Sequence, residues 1–145
     1  MEWRRIDLHV HTPASKDYQQ PDATYLDIVR KAEAEGLDIV AFTDHNTVAG
    51  YAAMLREISD LERWEAAGHL RGADEARLSE YRRLRDKVLV LPGFEFTATL
   101  GFHILAIFDQ DTTIRALEHV LLQLKVPFEA LDSGETEVGA TCDAL

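Results

Sequence analysis

Several features are scarce in this chain, and each shortage excludes a class of protein. The 145 residues include a single cysteine, Cys142. No internal disulfide can form, which fits a reducing cytoplasm. No apolar stretch approaches the roughly 20 residues needed to span a bilayer. Residues 1–5 run straight into a predicted strand and do not have the pattern of a signal peptide. The sequence also has no internal repeat and no low-complexity segment.

Positive charge is also scarce. Lys and Arg number 15 against 26 Asp and Glu, which gives a formal net charge of −11. This balance argues against broad electrostatic adhesion to nucleic acid or to an anionic membrane. Bound divalent ions would offset part of the charge locally, so a phosphate substrate stays compatible with it. The 46% hydrophobic and 28% charged residues are typical of a soluble globular protein. We expect residues 1–145 to form a single domain.

Apolar runs and helical periods alternate along the chain, which predicts an α/β fold. Thr24 and Asp27 predict the capped start of a first helix, and Gly36 predicts its end. Thr47 predicts the cap of a second helix. The predicted strands are 5–10, 38–43, 88–94 and 103–108, and the later helices are 49–67, 73–86 and 112–124, with a further helix beginning after Glu137. This order favours parallel strands, whose carboxyl ends gather functional residues.

The third predicted helix is rich in arginine and glutamate, and this composition has two readings. It is typical of a solvated helix pair. Alternatively, one of its arginines contacts a polyanion or a partner domain. The candidates for such a contact are Arg77, Arg82, Arg83 and Arg85.

The first predicted strand carries the densest group of possible metal ligands. Alternation places Asp7, His9 and His11 on one face of the strand. Asp17 follows in the next loop, His45 directly follows the second strand, and Glu95 directly follows the third. The carboxyl ends of the first three strands form one edge of the sheet, which we call the rim. His103 is the first residue of the fourth strand, so it reaches the rim only if that strand runs antiparallel or if its connection folds back.

Imidazole and carboxylate ligands together suit zinc, manganese or iron(II) better than calcium or magnesium. Two ions sharing Glu95 would activate a hydroxide for in-line attack on phosphorus. We expect Asp7 and Asp44 to orient ligand imidazoles by accepting their free N–H groups. Lys16 is a candidate phosphate contact. Cys142 has no basic neighbour in sequence, which argues against a thiol mechanism.

The segments 9–17, 43–47, 93–95 and 102–105 resemble the polymerase and histidinol phosphatase (PHP) superfamily. The resemblance extends over about residues 3–108 and is strongest to PHP domains at the N-terminus of larger ATPase-containing bacterial proteins. It implies a distorted (βα) barrel with two or three divalent ions. The implied metal ligands are His9, His11, Asp17, His45, Glu95 and His103.

The family pattern also includes a later histidine and a closing Asp-x-His pair, which this chain lacks. His119 is the only histidine after His103, and we interpret it as a helix-surface residue. We therefore expect the chain to represent the N-terminal part of the barrel and to be a piece of a longer protein.

The resulting hypothesis is a cytoplasmic, metal-dependent phosphoesterase, either a phosphatase or a nuclease, with Glu95, Asp44 and Lys16 assisting catalysis. An alternative is a non-catalytic metal-binding regulatory module of a larger ATPase-containing protein. A hydrolase of C–N bonds ranks last, because no lysine ends an early strand. Expected partners are a phosphorylated small molecule or nucleic-acid end, the remainder of a larger polypeptide and, through an exposed sheet edge, a second copy of the chain.

Overall fold

The computed structural model describes residues 3–20, 22–98 and 101–124. Within these ranges, strands and helices follow the order β1 (Ile6–Val10), α1 (Tyr25–Ala34), β2 (Ile39–Phe42), α2 (Ala49–Ala66), α3 (Ala73–Arg85), β3 (Leu89–Thr97), β4 (His103–Ile107) and α4 (Ile114–Gln123). The predicted α/β class is confirmed. In the part of the chain that the structure describes, no helix has the length and apolar character needed to cross a membrane.

Helix α1 begins and ends where its local signals predict. Thr24 Oγ1 accepts a hydrogen bond from the backbone N–H of Asp27, and Asp27 Oδ2 accepts one from the backbone N–H of Thr24, each at 3.1 Å. This reciprocal capping box is worth about 1 kcal/mol. Gly36 follows the C-cap residue Glu35 and has a φ of 70°, a left-handed conformation that glycine adopts without strain.

Helix α2 begins at the predicted residue, but its N-cap position lies one residue after the predicted cap, Thr47. Thr47 Oγ1 does accept the backbone N–H of Ala49, at 3.1 Å. The N-cap position itself falls on Val48, whose side chain makes no capping hydrogen bond. The hydroxyl of Thr47 bonds two residues ahead, as in a Ser/Thr turn, and the helix starts from that turn.

The arginines of α3 pair with carboxylates of the same chain. Arg82 makes two hydrogen bonds with Glu65 of α2, at 2.6 and 2.8 Å, and Arg83 makes two with Glu33 of α1, both at 2.6 Å. Arg77 forms an ion pair with Glu57 of α2. These contacts favour the reading of a solvated, ion-paired helix over that of a polyanion contact.

The strands form one sheet in the order β1-β2-β3-β4. Strands β1, β2 and β3 are parallel, and β4 pairs antiparallel with β3, with His103 opposite Thr97. The two edge strands β1 and β4 also contact each other, so the sheet is curled. This arrangement agrees with part of a (βα) barrel.

Strand β3 is longer than its apolar run predicts. Glu95 lies inside the strand, opposite Leu105 of β4, and not directly after it as expected. The prediction was wrong because the last residues of β3 extend past the pairing with β2 to form a hairpin with β4. The flanking Phe94 and Phe96 are fully buried, so strand alternation directs Glu95 to the opposite face.

Two apolar clusters hold the strands in place. The first joins α1, α2 and α3 to the sheet, and the second joins β3 and β4 to α4. Leu78 of the first cluster and Leu117 of the second are almost completely buried, and burying such a side chain contributes about 1.5–3 kcal/mol. Residues 125–145, which include Cys142 and the helix predicted after Glu137, lie outside the described ranges.

Candidate metal centre

The six predicted ligands come from different elements of the fold. His9 lies in β1 and His11 follows it, Asp17 lies in the loop before α1, and His45 follows β2. Glu95 is in β3, and His103 is the first residue of β4. Because β4 is antiparallel, its first residue lies at the same end of the sheet as the carboxyl ends of the parallel strands. The structural condition for His103 to join the other ligands is therefore met.

Glu95 is the side chain around which the imidazoles gather. Only 1% of it is exposed. Its Oε2 atom lies 2.7 Å from His9 Nε2 and 2.9 Å from His11 Nε2, while Oε1 contacts His103 Nδ1. His45 Nδ1 lies 3.7 Å from the same Oε2. Nitrogen atoms of His9 and His45 are thus both within 3.7 Å of one oxygen, although the two residues are 36 positions apart in the sequence.

The imidazole rings follow one another along the rim. Ring centroids are 5.0 Å apart for His9 and His11, 4.8 Å for His11 and His45, and 5.4 Å for His45 and His103. Neutral imidazoles offer lone pairs to a cation at such spacing. The arrangement is that of a row of neighbouring coordination positions.

Asp17 extends the row on the side away from Glu95. Its Oδ2 atom lies 2.9 Å from His11 Nδ1 and 3.6 Å from His45 Nε2. Ser15 Oγ donates a 2.6 Å hydrogen bond to Asp17 Oδ1. Asp17 therefore contacts the rim even though it is half exposed and belongs to a loop.

Together the six residues form three overlapping triads of ligand atoms. In each triad the atoms lie within 4.8 Å of one another. The first triad is His9, His11 and Glu95; the second is His11, Asp17 and His45; the third is His45, Glu95 and His103. His11, Glu95 and His45 each belong to two triads, so neighbouring positions share a ligand residue.

Both carboxylates of the rim stay ionised. Burial raises the pKa of Glu95, but hydrogen bonds from His9, His11 and His103 outweigh this effect and leave its pKa below the usual value. The hydrogen bond from Ser15 is the largest influence on Asp17 and lowers the pKa of that carboxyl, against a smaller opposing effect of burial. Ionised carboxylates are the form that binds a divalent cation.

The donor set fits a divalent transition-type ion. His45 Nδ1 is buried and has no hydrogen-bond partner among the described residues. A buried nitrogen without a partner is costly unless it has another ligand, such as a cation. Four imidazoles and two carboxylates match the preferences of zinc, manganese or iron(II).

The two aspartates that were predicted to orient imidazoles bond other groups: Asp7 bonds a backbone N–H, and Asp44 bonds a backbone N–H and a hydroxyl. Asp44 is 1% exposed, and its two carboxylate oxygens accept hydrogen bonds from the N–H and hydroxyl of Thr12. Burial raises the pKa of Asp44, and the bonds from Thr12 oppose that shift. Asp7 Oδ1 accepts the backbone N–H of His9 at 3.1 Å. The expectation that they bond imidazole N–H groups was wrong, because their hydrogen bonds go to the N–H of His9 and to the N–H and hydroxyl of Thr12.

Two further residues singled out from the sequence, Lys16 and His119, are both exposed. Lys16 is exposed in the loop between Ser15 and Asp17, so its proposed phosphate contact stays a prediction. His119 is exposed on α4, where its Nε2 lies 3.1 Å from Gln123 Nε2. This confirms the interpretation of His119 as a helix-surface residue.

Sequence reasoning missed Thr12, Ser15 and Gly50, which surround the rim. Thr12 and Ser15 are buried although they lie in a polar loop. A Cβ atom added at Gly50 would overlap Thr12 Oγ1 and Asp44 Oδ2. The contact between Ser15 and Asp17 is local, since the two residues are only two positions apart in the sequence. The Thr12–Asp44 contact has no local signal, because 32 residues separate the two.

Fold and site together define an α/β protein with a candidate metal centre at the carboxyl ends of its parallel strands. The family model of the PHP domain matches residues 7–126, and the chain belongs to this family. The predicted superfamily membership is thus confirmed. No curated protein and no solved structure matches the chain.

Proposed function

We propose that this chain is a metal-dependent phosphoesterase, either a phosphatase or a nuclease. The observation that carries the proposal is the buried carboxylate of Glu95, which contacts His9 and His11 at the end of β1 and His103 at the start of β4. Membership of the PHP domain family supports the same class of enzyme, because this superfamily is associated with metal-dependent phosphoesterases.

The three triads suggest where ions would be held. His9, His11 and Glu95 would hold one ion, His11, Asp17 and His45 a second, and His45, Glu95 and His103 a third. Bound divalent ions supply an acidified water as nucleophile and stabilise negative charge on phosphoryl oxygens. We propose that these ions are zinc, manganese or iron(II).

The chain's own residues would perform three tasks. Glu95 stays ionised in a buried position and keeps the imidazoles of β1 and β4 together. His9 and His103 are each about half exposed, at 50% and 51%, so the rim is open to a substrate on their side. Lys16 would meet a phosphate oxygen, and Asp44 would fix the end of β1 through Thr12. The proposed substrate is a phosphorylated small molecule or a nucleic-acid end.

The test uses the purified protein after metal removal and reconstitution with manganese, zinc or iron(II). Hydrolysis of bis-p-nitrophenyl phosphate and of p-nitrophenyl phosphate is followed by absorbance, and bound metal is measured by mass spectrometry. The matched pair is Glu95→Gln against Glu118→Gln, since Glu118 is exposed on α4. We expect Glu95→Gln to lose at least about 100-fold in rate and Glu118→Gln to retain the parental rate.

The outcomes separate the proposed enzyme from the alternative. A protein that binds two or more ions and hydrolyses neither ester would favour the non-catalytic, metal-binding module. A protein that binds no divalent ion would contradict both. Equal rates for the parent and Glu95→Gln would show that any hydrolysis arises elsewhere or from a contaminant.

Self-association and location are further proposals. The edge strands β1 and β4 carry exposed apolar side chains, Ile6 at 53% and Leu105 at 36%. Exposed apolar side chains on edge strands favour association with another chain, so we propose a homo-oligomer. Sedimentation showing a monomer at micromolar concentration would contradict it. Covalent linkage to a larger ATPase-containing protein and a cytoplasmic location stay predictions.

A further inference from the structure

The loop between β1 and α1 is fixed at its base by Thr12, which is completely buried. Its backbone N–H and its hydroxyl donate to Asp44 Oδ1 and Oδ2, at 2.6 and 2.7 Å. Its Oγ1 accepts the N–H of Ala14 at 3.2 Å, and its carbonyl oxygen accepts the N–H of Ser15 at 2.9 Å. Every polar group of Thr12 is therefore satisfied, either by Asp44 or by the loop that it supports.

Asp44 connects this loop to the next strand. It directly precedes His45 at the end of β2, while Thr12 directly follows His11 at the end of β1. The two-pronged contact between a buried carboxylate and Thr12 thus ties the ends of two ligand-bearing strands together. Buried paired groups of this kind tolerate little displacement, because a displaced partner leaves a polar group without a hydrogen bond.

Gly50 provides the space in which this contact forms. It is the second residue of α2 and is buried against the Thr12–Asp44 pair. A Cβ atom at this position would overlap both Thr12 Oγ1 and Asp44 Oδ2. The close approach of α2 to the pair therefore requires a residue without a side chain.

Ser15 connects the loop to two of the candidate metal ligands, Asp17 and His45. Its side chain is buried, and its Oγ donates to Asp17 Oδ1 at 2.6 Å. The same Oγ accepts the backbone N–H of His45 at 3.5 Å. One hydroxyl thus contacts the side chain of one member of the second triad and the main chain of another.

We propose that Thr12, Ser15 and Asp44, packed on Gly50, are positioning residues that hold Asp17 and His45 in place for the ion of the second triad. The inference rests on the proposed metal centre. It identifies the residues that hold two ligands of the second triad in position to bind an ion. The effect should be largest at the second triad, because this triad contains both Asp17 and His45, whereas the third contains only His45 and the first contains neither. Glu95, which serves the other two triads, is fixed by the pairing of β3 with β4 and by backbone hydrogen bonds with Asp44 and Asn46, neither of which uses the side chains of Thr12, Ser15 or Asp44.

The test measures metal binding directly and does not depend on hydrolysis. The metal-free 145-residue chain and its variants are titrated with zinc by calorimetry and with cobalt(II) by absorption spectroscopy. The variants are Ser15→Ala and Thr12→Val, with Thr12→Ser as the conservative replacement that keeps the hydroxyl. Thr113→Val is the matched control, since the Thr113 hydroxyl caps α4 by accepting the N–H of Ala116 at 3.2 Å.

We expect Ser15→Ala and Thr12→Val to weaken the binding of one ion by about 10–100-fold, as is usual when a partner of a ligand is removed. The ion of the first triad, which contains neither Asp17 nor His45, should bind within about twofold of the parent, and Thr12→Ser should restore most of the loss. Thr113→Val should lower the melting temperature without changing metal affinity.

Three results would overturn the inference. The first is that Ser15→Ala and Thr12→Val bind every ion as the parent does. The second is that all ions weaken equally in folded variants, which would indicate a general structural role. The third is a parent that binds no ion. If Thr12→Val does not fold, Ser15→Ala decides alone. A parent that binds its ions without hydrolysing any ester contradicts only the proposed phosphoesterase activity.

Discussion

Asn46 donates its backbone N–H to the carbonyl oxygen of Glu95 at 2.8 Å. On the other side of His45, the carbonyl oxygen of Asp44 accepts the backbone N–H of Glu95 at 3.0 Å. Both neighbours of His45 are thus hydrogen-bonded to the main chain of Glu95. The relative position of these two ligand residues is therefore fixed by backbone contacts, independently of any ion.

The conformation of Asn46 leads to a first prediction. Its φ is 51°, the left-handed region that asparagine tolerates better than most residues, and its Oδ1 accepts the N–H of Thr97 at 3.4 Å. Asn46→Ala should lower the free energy of unfolding by about 1–2 kcal/mol. Asn46→Gly should cost less, because glycine adopts this φ freely. Urea denaturation measures both, and equal losses would show that φ is not the cause.

Core packing gives a second prediction, with a matched pair of leucines on helices. Leu78 of α3 is 1% exposed and Leu122 of α4 is 53% exposed. Leu78→Ala should destabilise the fold by about 2–5 kcal/mol, through lost burial and the cavity that it leaves. Leu122→Ala should change stability by no more than about 0.5 kcal/mol. Comparable losses measured by denaturation would contradict the assignment of Leu78 to the core.

The ion pairs of α3 predict a stability change in acid. Hydrogen bonds from Arg83, the largest cause, and from Arg30 lower the pKa of Glu80 from 4.5 to about 2. A carboxyl whose folded pKa is depressed stabilises the fold above its unfolded pKa and loses this effect as pH falls through the folded value. The contribution should therefore be complete above pH 4.5 and disappear towards about pH 2.

Glu80→Gln should remove this part of the pH dependence. Because Arg83 is about half exposed, we expect the change at neutral pH to be only about 1 kcal/mol. Free energies of unfolding measured from pH 7 to pH 2 would show the two curves converging in acid. Glu118→Gln on α4 is the control and should run parallel to the parent. A constant gap between the parent and Glu80→Gln at all pH values would contradict the role of the ion pair.

Metal removal gives a fourth prediction. A ligand that binds only the folded state, at 100 times its dissociation constant, stabilises by about 2.7 kcal/mol. Manganese or zinc should therefore raise the melting temperature of the metal-free protein, and a chelator should reverse the shift. Glu95→Gln should lose most of the shift, because Glu95 belongs to two of the three triads. An equal shift in this variant would place the stabilising ion away from Glu95.

The parts of the fold with local causes were predictable. Helix α1 begins at the capping pair Thr24 and Asp27 and ends before Gly36. Each of these end signals involves residues that are close together in the sequence, so both ends of the helix could be predicted from the sequence. The position of His45 after β2 was equally predictable, because a short apolar run ends there. Local signals therefore defined most element boundaries and most of the ligand residues.

The parts that depend on distant residues were not predictable. The end of β3 is determined by β4, which pairs Glu95 with Leu105, and this partner is not visible in the strand's own composition. The bond between Asp44 and Thr12 similarly depends on the approach of two strand ends. A buried carboxylate accepts from whichever donors packing brings near it, so its partner required the three-dimensional structure.

The placement of Glu95 has a consequence for the order of events during synthesis. Four ligands, His9, His11, Asp17 and His45, leave the ribosome early, whereas Glu95 is separated from His9 by 86 residues. A nascent chain that ends before β3 exposes histidines without the carboxylate that gathers them. The centre can therefore be completed only after the β3–β4 hairpin has been made, and a cation captured earlier would be held by an unfinished ligand set.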